Sequence, residues 1–491
     1  MHSFHSTPAD AAESAAPAIA PDALGDAPFK SEYGLRYAYL AGAMYKGISS
    51  AELVVALGRA GMLGYLGTGG MAADAIEASI QYIQRELPNG EPYGMNLLCN
   101  LDRPDLEDST VDLYFKHGVR NAEAAAFIRV TPSLVRFRLR GLARNARGEV
   151  ESPQRILAKV SRPEVAAAFL QPAPEEIVRA LLAAGRISAA EAELSRFVPM
   201  ADDICVESDS GGHTDQGVAF ALLPAMFTLR DAFMQAHKYR KRIRVGAAGG
   251  IGTPHAVAAA FVMGADFVMT GSINQCTQEA GTSTAVKDIL QELNVQDTTY
   301  APAGDMFELG AKVQVARRGL FFPARANKLY ELYQRFASIE EIDERTRQQI
   351  QEKYFQRSFD EVWNETRGYY LRAAPHKLQE IERNPKQKMA LIFKWYFVHT
   401  TRLAMQGVPN RQVDYQIHCG PALGAFNQWV KNTPLEPWRN RYVADLGKRL
   451  MHGAAELLNQ RYAALARLAP RRANGAGADT AQVADATAIA R

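Results

Sequence analysis

The sequence has few cysteines and little net charge. Only four of its 491 residues are cysteine, and Cys99, Cys205, Cys276 and Cys419 stand far apart. Zinc sites and disulfide frameworks use closely spaced or paired cysteines, so the pattern favours free thiols in a reducing compartment, the cytoplasm. The net charge of +3 is too small to indicate nucleic-acid binding by itself.

Long apolar runs are also missing. The first residues have neither the basic start nor the apolar stretch of a signal peptide. The most apolar late stretch, residues 389–405, is interrupted by Lys394, His399 and Arg402. It therefore predicts a buried amphipathic helix and no membrane span.

The two ends differ in composition from the rest of the chain. Residues 1–28 are rich in alanine and proline and lack periodicity, as do the small residues of 471–491. Both predict disorder, the first as a leader and the second as a tail. Between them, 47% hydrophobic and 22% charged residues overall are typical of a globular protein with a sizeable core.

Short apolar runs alternate with helix-period segments from residue 36 onward. This rhythm predicts an α/β fold, a (β/α)₈ TIM barrel over residues 30–320; an open, doubly wound sheet is the alternative. The predicted strands are 36–44, 62–68, 92–98, 121–127, 155–160, 203–207, 243–248 and 266–271.

Two helical additions accompany the predicted barrel. Residues 171–200 indicate a helical hairpin that turns at Gly185, either a lid over the barrel mouth or a cover for an edge. The rhythm stops near residue 320, and residues 321–470 predict an all-helical region. In that region Ser358 and Glu361 have the spacing of a helix capping box.

Chemically versatile residues follow the predicted strands, where TIM barrels gather their function. The sixth strand leads into Glu207, two glycines and His213, and the seventh and eighth lead into GGIG (249–252) and Gly271-Ser272. Glycine loops that run into helix N-termini bind anions through backbone N–H groups. The two consecutive loops therefore predict a phosphate site, and His255 rules out the G-x-G-x-x-G dinucleotide motif.

Several segments resemble one family. The sequence resembles the nitronate monooxygenase (2-nitropropane dioxygenase) superfamily of FMN barrels, and its later stretches resemble the PfaD-type enoyl reductases that act in trans on polyketide and polyunsaturated fatty acid synthases. The segments that carry the first resemblance are AGAMYKGISS (41–50), GMNLL (94–98), AKVSRPEV (158–165), VESDSGGHTDQG (206–217) and residues 247–275; those that carry the second are FFPARANKLYELY (321–333), FDEVWNET (359–366), KMALIFKWYF (388–397) and DYQIHCGPALGAFNQWV (414–430).

The resemblance implies a noncovalent FMN site at the barrel mouth. Its phosphate would be held by Gly249, Gly250, Gly271 and Ser272, its ring would lie near Ala43 and Met44 and be faced by Asn96 and Lys159, and Gly211 and Gly212 would let the backbone approach. A lysine beside the ring stabilises the negative charge that a flavin gains on reduction. No metal site is expected.

The resemblance also implies roles for His213 and Lys159 in catalysis. Hydride from NADPH would reach the β-carbon of a 2-enoyl thioester through the flavin, and His213 would donate a proton or hydrogen-bond the thioester oxygen. Asp209 or Asp215 would orient the ring of His213. The segment GGHTDQG departs from the usual nitronate monooxygenase pattern, and this departure argues against a nitronate as the substrate.

The expected partner is an acyl carrier protein of a polyketide synthase. Its acidic surface would dock on Arg317, Arg318, Arg325 and Lys328, although these residues fit a solvated hinge equally well. The helical region could instead form a homodimer. Two other functions remain open, a nitronate-oxidising flavin oxygenase and a phosphate-binding barrel without redox activity, and no residue decides between NADPH and NADH.

Overall fold

The computed structural model describes residues 18–100 and 103–468. Eight parallel strands close into a barrel in the order β1-β11-β10-β8-β7-β4-β3-β2, which confirms the predicted TIM barrel and excludes an open sheet. In chain order the strands are β1 (Tyr39–Ala41), β2 (Leu63–Leu66), β3 (Gly94–Leu98), β4 (Asn121–Ala125), β5 (Ala143–Arg144), β6 (Val150–Glu151), β7 (Arg155–Val160), β8 (Asp203–Glu207), β9 (Gly212–His213), β10 (Arg244–Ala248), β11 (Val268–Thr270), β12 (Thr298–Pro302) and β13 (Lys312–Ala316).

Helices follow the barrel strands and build most of the later chain. They are α1 (Ala27–Tyr33), α2 (Ala51–Arg59), α3 (Ala73–Glu86), α4 (Pro104–Lys116), α5 (Pro132–Leu139), α6 (Pro163–Leu170), α7 (Glu175–Ala183), α8 (Ala189–Leu194), α9 (Ala219–His237), α10 (Pro254–Val262), α11 (Ser272–Gln275), α12 (Thr284–Leu290), α13 (Phe322–Arg335), α14 (Glu344–Gln349), α15 (Phe359–Ala373), α16 (Pro375–Arg383), α17 (Pro385–Gln406), α18 (Pro421–Trp429) and α19 (Val443–Leu468). The capping box at Ser358 and Glu361 is present at the start of α15.

The later chain divides between two cores. A second hydrophobic core runs from Ala301 to Phe397 and joins β12 and β13 to α13, α15 and α17. The last helix, α19, returns to the barrel, where it packs between α10 and α2 in the place of an eighth barrel helix. Its apolar side chains, such as Leu446 and Leu450, belong to the barrel core. The predicted boundary at residue 320 therefore does not separate the two bodies, because α18 and α19 pack with the barrel.

A small antiparallel sheet that the sequence did not reveal connects these bodies. Strand β13 pairs with β12 on one side and with β9 on the other, so that Val313 lies opposite His213. The two-residue β9 is too short to give a strand period, which is why alternation along the sequence missed it.

The helical insertion is the predicted hairpin, and it lies away from the barrel mouth. Helices α7 and α8 contact α5 and β5, at the end of the barrel where the strands begin. The Glu191 carboxylate accepts the Gly141 N–H there at 2.6 Å, and Arg186 pairs with Asp108 at 2.9 Å. The hairpin therefore packs at the end of the barrel opposite the mouth and is not a lid.

The predicted disordered leader is wrong over residues 18–28. A 3-10 helix, Pro21–Ala23, and the start of α1 occupy this stretch. The Ile19 N–H donates to the Asn459 side chain at 2.8 Å, a contact 440 residues apart that composition could not predict. The rest of the leader, and the predicted tail over 471–491, lie outside the described residues. None of the helices in the described ranges is long and apolar enough to cross a membrane.

Candidate active site at the barrel mouth

His213 stands at the mouth of the barrel and is paired with Asp305. Its Nε2 lies 2.8 Å from Oδ1 of Asp305, which the β12–β13 connection supplies. Burial opposes a positive charge on His213, but the hydrogen bond and negative charge of Asp305 outweigh it and raise the pKa of the imidazole above its usual value. His213 is therefore suited to carry a proton near neutral pH.

The sequence prediction named the wrong carboxylates for this pair. Asp209 accepts hydrogen bonds from Tyr300 at 2.6 Å and Thr214 at 2.7 Å, so it fixes the loop and not the imidazole. Asp215 is bound to Arg162 at 2.6 Å. Asp305 lies 92 residues from His213 in an unremarkable AGDM segment, and only the pairing of β13 with β9 brings it there.

Lys159 lies inside the mouth between two carboxylates. Its Nζ is 3.2 Å from Glu123 on β4 and 3.9 Å from Glu207 on β8. Burial would lower the pKa of Lys159, but these two carboxylates outweigh it, so the pKa is raised and the lysine stays charged. Burial raises the pKa of Glu123, an effect that Lys159 partly offsets.

Glu123 is a site residue that sequence reasoning missed. It is fully buried, and its Oε2 accepts the Ala43 N–H at 2.9 Å. A carboxylate inside the alanine-rich strand β4 breaks the apolar pattern, and this was the signal that could have found it. Ala43 and Met44 lie half-buried just beyond β1, and the Asn96 side chain donates to the Glu123 carbonyl at 3.2 Å. These predicted residues therefore meet at one mouth.

Two glycine loops form an open cradle beside this mouth. Ala248 pairs with Met269, so Gly249 and Gly250 follow β10 next to the Gly271-Ser272 end of β11. Gly249 and Gly250 have φ values of 82° and 72°, and a Cβ added at Gly250 or Gly271 would meet no protein atom within 4 Å. The cradle thus has room for a phosphate, and FMN fits these residues.

The chain near residue 420 completes this region. The Gly420 N–H donates to Ser272 Oγ at 3.0 Å, and a Cβ on Gly211 would lie 2.8 Å from the Cys419 backbone. Gly212 has a φ of 88° and passes close to the ring of His418. Burial lowers the pKa of His418 to about 4, helped by the charge of His213. His418 therefore stays neutral beside a protonated His213.

The predicted docking patch is only partly free to bind a partner. Arg325 is ion-paired with the buried Asp414, and Arg318 donates to the Glu292 carbonyl. Lys328 pairs with Glu331 at 2.9 Å.

All four cysteines lie in the described ranges, and none is in a disulfide.

Comparison with known proteins agrees with this arrangement. The nitronate monooxygenase family model matches residues 29–306, and the chain belongs to that family of barrel proteins. A second model, the inserted helical domain of [acyl-carrier-protein] S-malonyltransferase, matches residues 336–415.

Three similar proteins indicate which members of the nitronate monooxygenase family the chain resembles. The enoyl reductase domain of MlnA, from the macrolactin biosynthesis cluster of Bacillus amyloliquefaciens, is 48% identical with a TM-score of 0.87, over 90% of this chain and 99% of that one. Polyketide biosynthesis protein PksE of Bacillus subtilis is 57% identical over 90% of this chain, and a polyunsaturated fatty acid synthase component of Thraustochytrium is 44% identical over 84%. The chain spans only 57% and 28% of these two curated relatives. The chain is therefore similar to proteins of polyketide and polyunsaturated fatty acid biosynthesis, as the sequence indicated.

Proposed function

We propose that the protein is a cytoplasmic, FMN-dependent enoyl reductase. It would consume NADPH and act in trans on 2-enoyl thioesters that an acyl carrier protein holds during polyketide or polyunsaturated fatty acid synthesis. The observation that carries the proposal is that His213, paired with Asp305 at 2.8 Å, stands at the same mouth as Lys159 and the open glycine cradle. Similarity to the MlnA enoyl reductase domain supports it.

The residues present suit the cofactor and the reaction. The chemistry that FMN supplies when bound is hydride transfer from NADPH to the β-carbon of the thioester. Gly249, Gly250, Gly271 and Ser272 would hold its phosphate. Lys159, kept charged by Glu123, stabilises negative charge at the mouth.

His213 would complete the reduction. Its Nε2–H donates to Asp305, which leaves Nδ1 to deliver a proton to the α-carbon or to hydrogen-bond the thioester oxygen. Asp305 acts as a positioning residue, and neutral His418 adds no competing charge beside it. The nicotinamide and the thioester would use the same mouth in turn.

The first test is spectroscopic. Purified protein should show flavin absorption that bleaches with NADPH in the absence of oxygen and returns when an enoyl-carrier thioester is added. Recovery with oxygen and a nitroalkane but not with the thioester would favour the oxygenase. Absence of flavin, with none taken up from added FMN, would leave a phosphate-binding barrel without redox activity.

The second test addresses His213. The His213→Ala variant should keep its FMN and lose roughly 10²–10⁴-fold in thioester reduction, the usual contribution of a general acid. His376→Ala, on an exposed residue of α16, is the matched control and should behave as wild type. Full activity of the His213 variant with normal FMN content would exclude the catalytic role.

A further inference from the structure

Two cations from distant parts of the chain meet at the rim of the mouth. Lys46 follows β1 in the 3-10 helix Tyr45–Gly47, and Arg402 lies near the end of α17. The segment 281–283 contacts the chain close to both residues. The Gly281 N–H donates to the Ile48 carbonyl at 2.9 Å, two residues after Lys46, and the Ser283 hydroxyl donates to the Ala404 carbonyl at 2.6 Å, two residues after Arg402. The barrel and the helical body thus each contribute one positive charge.

Neither cation forms an ion pair with a carboxylate in the part of the chain that the structure describes. Glu365 lies in the surroundings of Arg402: burial opposes its charge, but its hydrogen bond to Arg357 and the charges of Arg357 and Arg402 lower its pKa, and it is already paired with Arg357. Within the described ranges, neither Lys46 nor Arg402 has an acidic oxygen within 4.0 Å, whereas Arg357 and Arg367 are both ion-paired. Lys46 is half-buried over the Tyr45 ring, 5.3 Å from its centre, and its left-handed backbone (φ 49°) is held by a 2.8 Å bond to the Gly69 carbonyl. Burial and the charge of Arg402 lower the pKa of Lys46, as expected for like charges kept close. An incoming anion would relieve this repulsion.

The pair lies on the approach to His213. Phe397, on α17, packs so closely on Gly304 that a Cβ there would lie 2.6 Å from its own Cβ, and the next residue is Asp305. Two exposed apolar side chains accompany the cations: Tyr45, which precedes Lys46, is 45% accessible, and Val398, on α17, is 49% accessible. Val398 is one helical turn before Arg402, on the same face. The cations therefore lie beside exposed apolar side chains, and α17, which carries Arg402, packs against the segment that supplies Asp305.

We propose that Lys46 and Arg402 bind a phosphate ester of the incoming reactant, the phosphate of the phosphopantetheine arm that carries the thioester. This inference rests on the proposed function. An acyl carrier presents its thioester on a long, flexible arm that begins at a phosphodiester, so a phosphate held at the rim places the thioester deeper in the mouth. NADPH also carries phosphates and is the second source of the same chemistry. The FMN phosphate is assigned to the glycine cradle at β10 and β11.

A direct binding experiment distinguishes the contribution of the phosphate to affinity from that of the rest of the pantetheine arm. The probes are 4′-phosphopantetheine and pantetheine, titrated into the FMN-loaded protein by calorimetry. Wild type should prefer the phosphorylated probe. Lys46→Gln and Arg402→Gln should each weaken it by about tenfold, the size of one charge-assisted contact, and leave pantetheine unchanged. Lys238→Gln and Arg240→Gln, exposed cations just before β10 at the opposite end of the barrel, are the matched controls and should change neither; Lys238 also shares the left-handed backbone of Lys46 (φ 54° against 49°).

A second set of measurements decides whether the bound phosphate belongs to phosphopantetheine or to NADPH. The proposal is supported if the variants of Lys46 and Arg402 bind only phosphopantetheine more weakly. Their KM should then rise for the carrier-bound substrate and stay unchanged for a phosphate-free N-acetylcysteamine thioester. If instead the dissociation constant of NADPH rises, the anion site stands and belongs to the dinucleotide. Equal binding of both probes in wild type with unchanged NADPH affinity overturns the inference, as does loss of FMN from either variant. These titrations need no turnover, so a failure of enoyl reduction itself is recognised separately.

Discussion

Replacing Lys159 with methionine tests the buried charges of the mouth. The ammonium group lies 3.2 Å from the fully buried Glu123, and its side chain is 18% exposed. At an effective dielectric of about 20 this pair gains about 5 kcal/mol, much of which offsets the cost of removing both ions from water. Losing one partner leaves Glu123 buried and uncompensated, and typically costs about 3–5 kcal/mol. We expect Lys159→Met to lower the free energy of unfolding by that amount.

Urea denaturation, followed by circular dichroism with and without saturating FMN, measures this loss. The double variant Lys159→Met/Glu123→Gln removes both charges and should recover most of the stability. Glu207→Gln is the control, because its carboxylate is 3.9 Å away and 24% exposed, and it should cost about 1 kcal/mol or less. A loss below about 1 kcal/mol for Lys159→Met, or no recovery in the double variant, would refute the account of a buried, charged pair.

Three further outcomes are expected. Asp305→Asn should lower the pKa of His213 and move the fall of kcat/KM for thioester reduction to lower pH; an unchanged pH profile would show that the pair does not set the proton donor. Burial lowers the pKa of His418 from an ordinary 6.5 to about 4, so the stability that neutral His418 contributes is complete above pH 6.5 and is lost as the pH falls toward 4. The urea midpoints at pH 7 and pH 4.5 should therefore differ less in His418→Gln than in wild type. An equal difference in both proteins would contradict the lowered pKa. Gly250→Ala should weaken FMN binding in a flavin titration. Gly148→Ala should not, although Gly148, on the β5–β6 hairpin, has a similar φ (74° against 72°) and equally open surroundings. Equal effects of the two substitutions on FMN binding would point to backbone strain alone.

The barrel and the location of its functional end could be predicted from the sequence alone. Eight apolar runs that alternate with helix-period segments predict eight strands, and each is present, because a strand buried on both faces needs a continuous apolar run whatever surrounds it. The loop after β10 was equally readable, since Gly249 and Gly250 have positive φ values, 82° and 72°, that favour glycine locally.

Which charged groups act together depends on the tertiary structure and could not be predicted. Asp305 reaches His213 through a pairing of β13 with the two-residue β9, and Arg402 reaches Lys46 through contacts between segments that lie far apart in the chain. Glu123 stands next to Lys159 because β4 and β7 are neighbours in the closed barrel, which their separation in the sequence does not reveal. Periodicity reports the burial of one segment at a time, whereas an ion pair or a hydrogen bond depends on where two segments meet, and that is fixed by the packing of the whole chain.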